Sequence, residues 1–208
     1  MTFTDPTVGP QFGQDAERER QIVESLSHSA TIWFVGPSAP TPITGGVKKP
    51  VPDWKRWFDT TNKLDKIWSP THSLWITLTP LMARDDDDGT TTSTTFGNLT
   101  GSGVGPAVTI DTGTTVYVDV FASFFNDSSA LGFTGVGFAI SGATTKAAND
   151  AEAILGGFGA NGELYQFGGR VLVTGLTAGS NTFTMKYRVS AGTATIQRRN
   201  ICVTAIPT

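Results

Sequence analysis

The chain has 208 residues, with 15 lysines and arginines against 18 aspartates and glutamates, for a formal net charge of -3. No long basic block accompanies that balance, which excludes the electrostatic footprint of a nucleic-acid binder. Hydrophobic residues at 38% and charged ones at 16% fall below ordinary globular usage, and Gly, Thr and Ser fill the gap. That profile suits short strands joined by tight turns and argues against a helical bundle. Cys202 stands alone, so no intramolecular disulfide framework is available. The opening residues Met1 to Pro6 lack the basic and apolar regions of an export signal, and no apolar run approaches the ~20 residues of a bilayer span. Synthesis in a cytoplasm without membrane insertion is expected.

Residues 1–52 read as an N-terminal arm. Gly9, Pro10 and Gly13 break regular structure, and residues 15–28 are then expected to form a helix. Asp15, Glu17 and Glu19 sit in its first turns, where acidic groups favour the positive end of the helix dipole. Ile22, Val23 and Leu26 make a narrow apolar stripe at helical spacing. A β-prone run, Thr31-Ile32-Trp33-Phe34-Val35, follows and ends at Gly36-Pro37. Pro37, Pro40, Pro42, Gly45, Gly46, Pro50 and Pro52 then mark an extended connector.

Residues 53–80 are expected to form a small aromatic-rich β meander carrying Trp54, Trp57, Phe58, Trp68 and Trp75. Strands are predicted at 56–59, 64–68 and 74–78, with turns at 60–63 and 69–73. So small a unit has little besides indoles from which to build a core, and mutual packing is the favoured reading. The alternative is a sugar-binding platform, for which Trp54 and Trp75 are the candidate surface aromatics.

Residues 81–91, with Asp85 to Asp88 in a row before Gly89, read as an acidic and threonine-rich hinge. A calcium loop that places Gly89 correctly would put Arg84 at the first ligand position and Thr95 at the last, and neither residue fits.

Residues 92–208 are expected to form a jelly-roll-type β-sandwich, making the fold class mainly β. In residues 114–125, Val116, Val118, Val120, Ala122 and Phe124 alternate with Tyr117, Asp119, Phe121, Ser123 and Phe125. Residues 135–141 form a glycine-spaced strand, and 144–155 an insertion with a possible helical turn. Residues 170–176 are predicted to pair with 181–190 across the turn Thr177-Ala178-Gly179-Ser180. In the second of these, Phe183, Met185, Tyr187 and Val189 share a face. The last strand, 193–206, switches its apolar positions from Ala194 and Ile196 to Ile201, Val203 and Ala205. A bulge or corner near residues 197–200 is required, which would let one strand serve two sheets.

Chemistry is hard to place. His28 and His72 have no neighbouring ligands at metal spacing, Cys202 alternates with apolar neighbours, and no nucleophile elbow or phosphate loop is present. Asp119, Asp150, Glu152 and Glu163 could supply a carboxylate pair, but spacing does not establish one. The chain is expected to be non-enzymatic, with no catalytic residues, metal site or cofactor.

Two stretches carry a resemblance. Trp57-Phe58-Asp59-Thr60-Thr61-Asn62-Lys63-Leu64, Ile67-Trp68 and Ser73-Leu74-Trp75 are similar to a small module near the N-termini of phage tail-fibre and minor tail proteins. The run from Trp33 to Pro40 resembles the segment that precedes it there. Residues 175–188, and then Arg198-Arg199 through Ile206-Pro207, resemble the C-terminal jelly rolls of phage fibre and spike proteins, which are related in shape to tumour necrosis factor-like trimers. The resemblance implies a tailed-bacteriophage virion protein. Its N-terminal part would dock on other virion proteins, and its sandwich would project toward a host-surface glycan or protein. A tail or baseplate fibre is the first reading, and a capsid decoration or head fibre the second. A carbohydrate-binding module and an enzyme with an unfamiliar site are the readings from other classes. A homotrimer is expected from Tyr117, Phe121 and Phe125, which would form an exposed apolar patch suited to burial around a symmetry axis. The alternative is a covering loop at residues 144–155.

Overall fold

The computed structural model describes residues 33–40, 55–128, 132–158 and 164–207. The helix expected at 15–28 and most of the proline-rich connector lie outside the described residues.

Four strands make a small sheet in the order β1-β2-β3-β4: β1 (Trp33–Gly36), β2 (Arg56–Asp59), β3 (Leu64–Ser69) and β4 (Leu74–Thr77). β1 runs parallel to β2, and the remaining pairs are antiparallel. Asp59 ends β2 and organises the turn. Its Oδ1 accepts the backbone N–H groups of Thr61 at 3.0 Å and Asn62 at 3.1 Å, and Asn62 Nδ2 donates to Oδ2 at 2.8 Å. Lys63, at φ 58°, then closes it. The Asn62 amide foremost, with these backbone donors and Lys66 adding, holds the Asp59 carboxyl below the usual carboxylate range.

The register sets Trp57 beside Lys66, Trp68 beside Trp75 and Ile67 beside Ile76. Period-two alternation therefore puts the three indoles and Lys66 on one face, and Ile67, Leu74 and Ile76 on the other. Ile76 is wholly buried in the main core, with Ile67 and Leu74 packed against it. The small sheet is seated on the larger body by its aliphatic face.

The larger body contains β5 (Leu81–Asp85), β6 (Gly89–Thr91), β7 (Ala107–Thr112), β8 (Thr115–Asn126) and β9 (Gly132–Gly142). It continues with β10 (Ile154–Phe158), β11 (Tyr165–Thr174), β12 (Gly179–Val189) and β13 (Ala194–Ile206). Antiparallel pairs nest around the β9–β10 connection: β9 with β10, β8 with β11, β7 with β12 and β5 with β13. The chain is thus one long double-stranded hairpin. Further pairing of β9 with β12 and β8 with β13 rolls it into two sheets, β10-β9-β12-β7 and β11-β8-β13-β5. This is a jelly roll. Val116, Val118, Val120, Ala122 and Phe124 point inward from β8 and meet Phe138, Ile140, Phe183 and Met185 of the opposite sheet within one core.

Several expectations are corrected. Residues 81–91 are no hinge, because β5 and β6 both pair with β13. Leu81 and Ala83 pack against the core, and Asp85, which reads as a solvated charge, pairs with a buried arginine. β11 and β12 do not pair with each other. They lie in opposite sheets, since alternation reveals which way a side chain points but not which strand lies alongside. The bulge in β13 is present, with the register shifting between Gln197 and Asn200 and Arg198 at φ 49°. It keeps β13 in one sheet, flanked by β8 on both sides of the shift, and exchanges its other neighbour from β6 to β5. Within 144–155 the only helical feature is a single 3-10 turn, Asp150–Glu152.

Candidate functional site

Two surfaces collect the residues that the sequence singles out. The first is a groove of about 440 Å³ between the indole face of the small sheet and the β7–β12 edge of the roll. Trp57, Trp68, Trp75, Lys66, Ser73 and Asp111 line it. Trp75 stands between the other two indoles, with ring centroids 5.7 Å from Trp57 at 66° and 5.5 Å from Trp68 at 64°. Such edge-to-face contacts fix ring orientation. Trp57 is buried and donates its Nε1–H to the carbonyl of Gly36 at 3.1 Å, tying β1 to the platform, while Trp68 and Trp75 stay half-buried. Lys66 lies 5.5 Å from the Trp57 ring centroid and donates to Asp111 Oδ2 at 2.9 Å, across the junction of the two units. The structure brings Trp75 into this groove, whereas Trp54 lies outside the described residues. Lys66 and Asp111 carry no sequence signal, because their meeting depends on the seating of one sheet on the other.

The second surface is the outer face of the β11-β8-β13-β5 sheet. Tyr117 is 36% exposed, with the Arg170 guanidinium 5.2 Å from its ring centroid. Phe121 and Phe125 share its face but are half-buried. Gly168 explains Phe121: a Cβ there would come within 3.0 Å of the Phe121 ring, so the missing side chain lets the phenyl lie across β11. The segment 144–155 does not provide the cover, since it leads into β10 of the other sheet. Two apolar residues that sequence reasoning passed over, Met82 at 68% and Leu172 at 53% exposure, stand on the same face.

The remaining candidates resolve into structural roles. Asp119 takes a two-pronged pair from Arg170, at 2.7 and 3.0 Å. Asp150 takes Arg188 at 2.6 Å, and Glu152 takes Lys146 at 2.5 Å and the Asn149 amide at 3.2 Å. Glu163 and His28 lie outside the described residues. His72 is half-buried in the β3–β4 turn. Cys202 faces outward from β13, and burial pushes its thiol up from the ordinary value, which favours the protonated form over the nucleophilic thiolate. Among the described residues no group of three or more His, Cys, Asp or Glu side chains is placed to hold a metal ion. None of their helices is long and apolar enough to cross a membrane.

Sequence reasoning missed Arg199, the largest fully buried side chain among the described residues. It pairs with Asp85 Oδ2 at 2.5 Å and donates to the Asp87 carbonyl at 2.9 Å, with Tyr187 5.7 Å from its guanidinium. Burial pushes the Tyr187 phenol up to about 12. The only signal for this cluster is the parity switch in β13, which turns Arg199 inward.

No known family profile matches the chain, and no curated protein matches it in sequence. Among solved structures it is similar to the infectious bursal disease virus VP2 subviral particle at 14% identity and a TM-score of 0.43, over 66% of this chain and 36% of that one. The T13 particle of the same virus gives 14% identity and a TM-score of 0.45, over 68% and 40%. The Clostridium thermocellum xylanase 10B CBM22-1–GH10 modules, complexed with xylohexaose, give 15% and 0.31, over 61% and 26%. This chain therefore spans less than half the length of each. Likeness at this level is one of strand layering and assigns no role.

Proposed function

We propose that the chain is a non-enzymatic structural protein of a tailed-bacteriophage virion. Its N-terminal part attaches it to the particle, and the jelly roll contacts the host surface. The observation that carries this reading is the order of parts in one chain: a turn-capped aromatic meander, then a jelly roll formed by a nested hairpin. That is the order of the fibre and minor tail proteins which the sequence resembles. Fibre or baseplate placement is preferred over capsid decoration on the same resemblance.

A homotrimer belongs to this reading. Met82, Tyr117 and Leu172 put apolar surface on the outer face of the β11-β8-β13-β5 sheet, with Phe121 partly covered beneath. Burial around a symmetry axis would remove that surface from water.

The test is location. Antibody raised against this chain should decorate purified particles in electron microscopy and place the label on the tail. Label on the capsid shell would replace the fibre assignment with decoration. Absence of the chain from purified particles, with recovery only in the soluble lysate, would overturn the virion role.

A further inference from the structure

The geometry points to the groove between the small sheet and the β7–β12 edge as a binding site for a neutral pyranose oligosaccharide. This goes beyond the virion role and does not depend on it.

The apolar half of the site is the indole triad. The edge-to-face contacts at 5.5 and 5.7 Å hold the Trp75 ring before any ligand arrives, and the Trp57 bond to Gly36 holds the partner behind it. A flat, preoriented π surface suits the C–H face of a pyranose, which is apolar although its rim carries hydroxyls.

The polar half is the Lys66–Asp111 pair. The Lys66 ammonium is held against Asp111 at 2.9 Å, with its side chain only 12% exposed. An ammonium carries three N–H donors and a carboxylate two acceptor oxygens, and the bond between Lys66 and Asp111 uses one of each. A fixed donor beside a fixed acceptor matches two adjacent hydroxyls, each of which can both give and take a hydrogen bond. Ser73 adds a hydroxyl at the lining.

Charge and size narrow the ligand class. The pair is neutral as a unit and the whole chain is net -3, so a phosphate-bearing or uronic-acid ligand would meet Asp111 without a surplus cation. A purely apolar ligand would strip water from the ion pair without replacing its hydrogen bonds. The volume of about 440 Å³ falls within the ~300–1,000 Å³ of small-ligand clefts and suits a short saccharide.

The test titrates the purified full chain with cellohexaose, mannohexaose, xylohexaose and chitohexaose, and with polygalacturonate as an acidic arm. Binding is followed by calorimetry and tryptophan fluorescence. The expected result is saturable binding to a neutral member with a blue-shifted emission. Trp75→Ala should weaken it about tenfold or more, as loss of an aromatic partner does. Asp111→Asn, which takes the counter-ion from a mostly buried Lys66, should weaken it severalfold with the fold retained by circular dichroism at a lowered melting temperature, and Tyr117→Ala, on the other sheet, should not weaken it. If Trp75→Ala fails to fold by circular dichroism, Asp111→Asn at its half-exposed position carries the test. Three results would overturn the site: no binding by any neutral member, preference for polygalacturonate, or affinity unchanged by both Asp111→Asn and any folded Trp75→Ala.

Discussion

The small sheet and the roll build their interiors by different means. In the roll, alternate residues of β8 and β12 are wholly buried against one another, and the one fully buried charge among its described residues, Arg199, is matched by Asp85. In the small sheet the aliphatic face is covered by the roll. The other face holds indoles that pack edge-on, Trp57 buried and Trp68 and Trp75 half open. A unit of four short strands has too little apolar area to fold by itself, so it borrows the core of its neighbour. The difference teaches that one chain can hold a scaffold with a two-sheet core and a platform that completes itself on that same core.

The largest effect should come from cutting inside the scaffold. A fragment of residues 90–208 lacks β5 and leaves Arg199 buried without Asp85. It should be insoluble or show no cooperative unfolding, whereas residues 79–208 should fold. In the full chain, Asp85→Ala should cost about 3–5 kcal/mol in chemical denaturation, the penalty of an uncompensated buried charge. A soluble, cooperative 90–208 fragment would show that β5 and its ion pair are accessory.

Next in size is the joint. Ile76→Ala should destabilise the whole molecule by about 2–5 kcal/mol, as for other fully buried aliphatics, although Ile76 belongs to the small sheet. Loss confined to the tryptophan signal, with the roll unaffected, would break the comparison.

The smallest effect is a pH dependence. The Tyr187 phenol is raised to about 12 by burial, so the unfolded chain releases that proton at a lower pH than the folded one. The contribution is fully present below about pH 10 and is lost as pH rises toward 12. Melting temperature should therefore fall above pH 10 more steeply in the wild type than in Tyr187→Phe. Equal slopes would place the phenol in water.

Much of this design was legible in the residues. The strands at 56–59, 64–69 and 74–77 follow from aromatic runs between turn formers, and Asp59 caps the turn after the first of them. The bulge in β13 followed from a parity switch alone. What was hidden depends on distant partners. Asp85 sits in a run of four aspartates that reads as solvated, and its cation comes from the far end of the chain. β7 offers only two apolar repeats, Val108 and Ile110, and β10 contains two glycines, so the period-two signal is short in one and interrupted in the other. The pairing of β11 and β12 with other strands is set by how the hairpin rolls, about which local alternation is silent. Trp75 was visible as a candidate, but the Lys66–Asp111 pair beside it was not, because those residues meet only when the small sheet is seated.

Differential scanning calorimetry of the full chain tests the shared core most directly. One transition, with calorimetric and van't Hoff enthalpies equal, and moved as a whole to lower temperature by Ile76→Ala, is the predicted result. Two resolved transitions, with Ile76→Ala shifting only the lower one, would mean that the small sheet folds on a core of its own and would contradict the account.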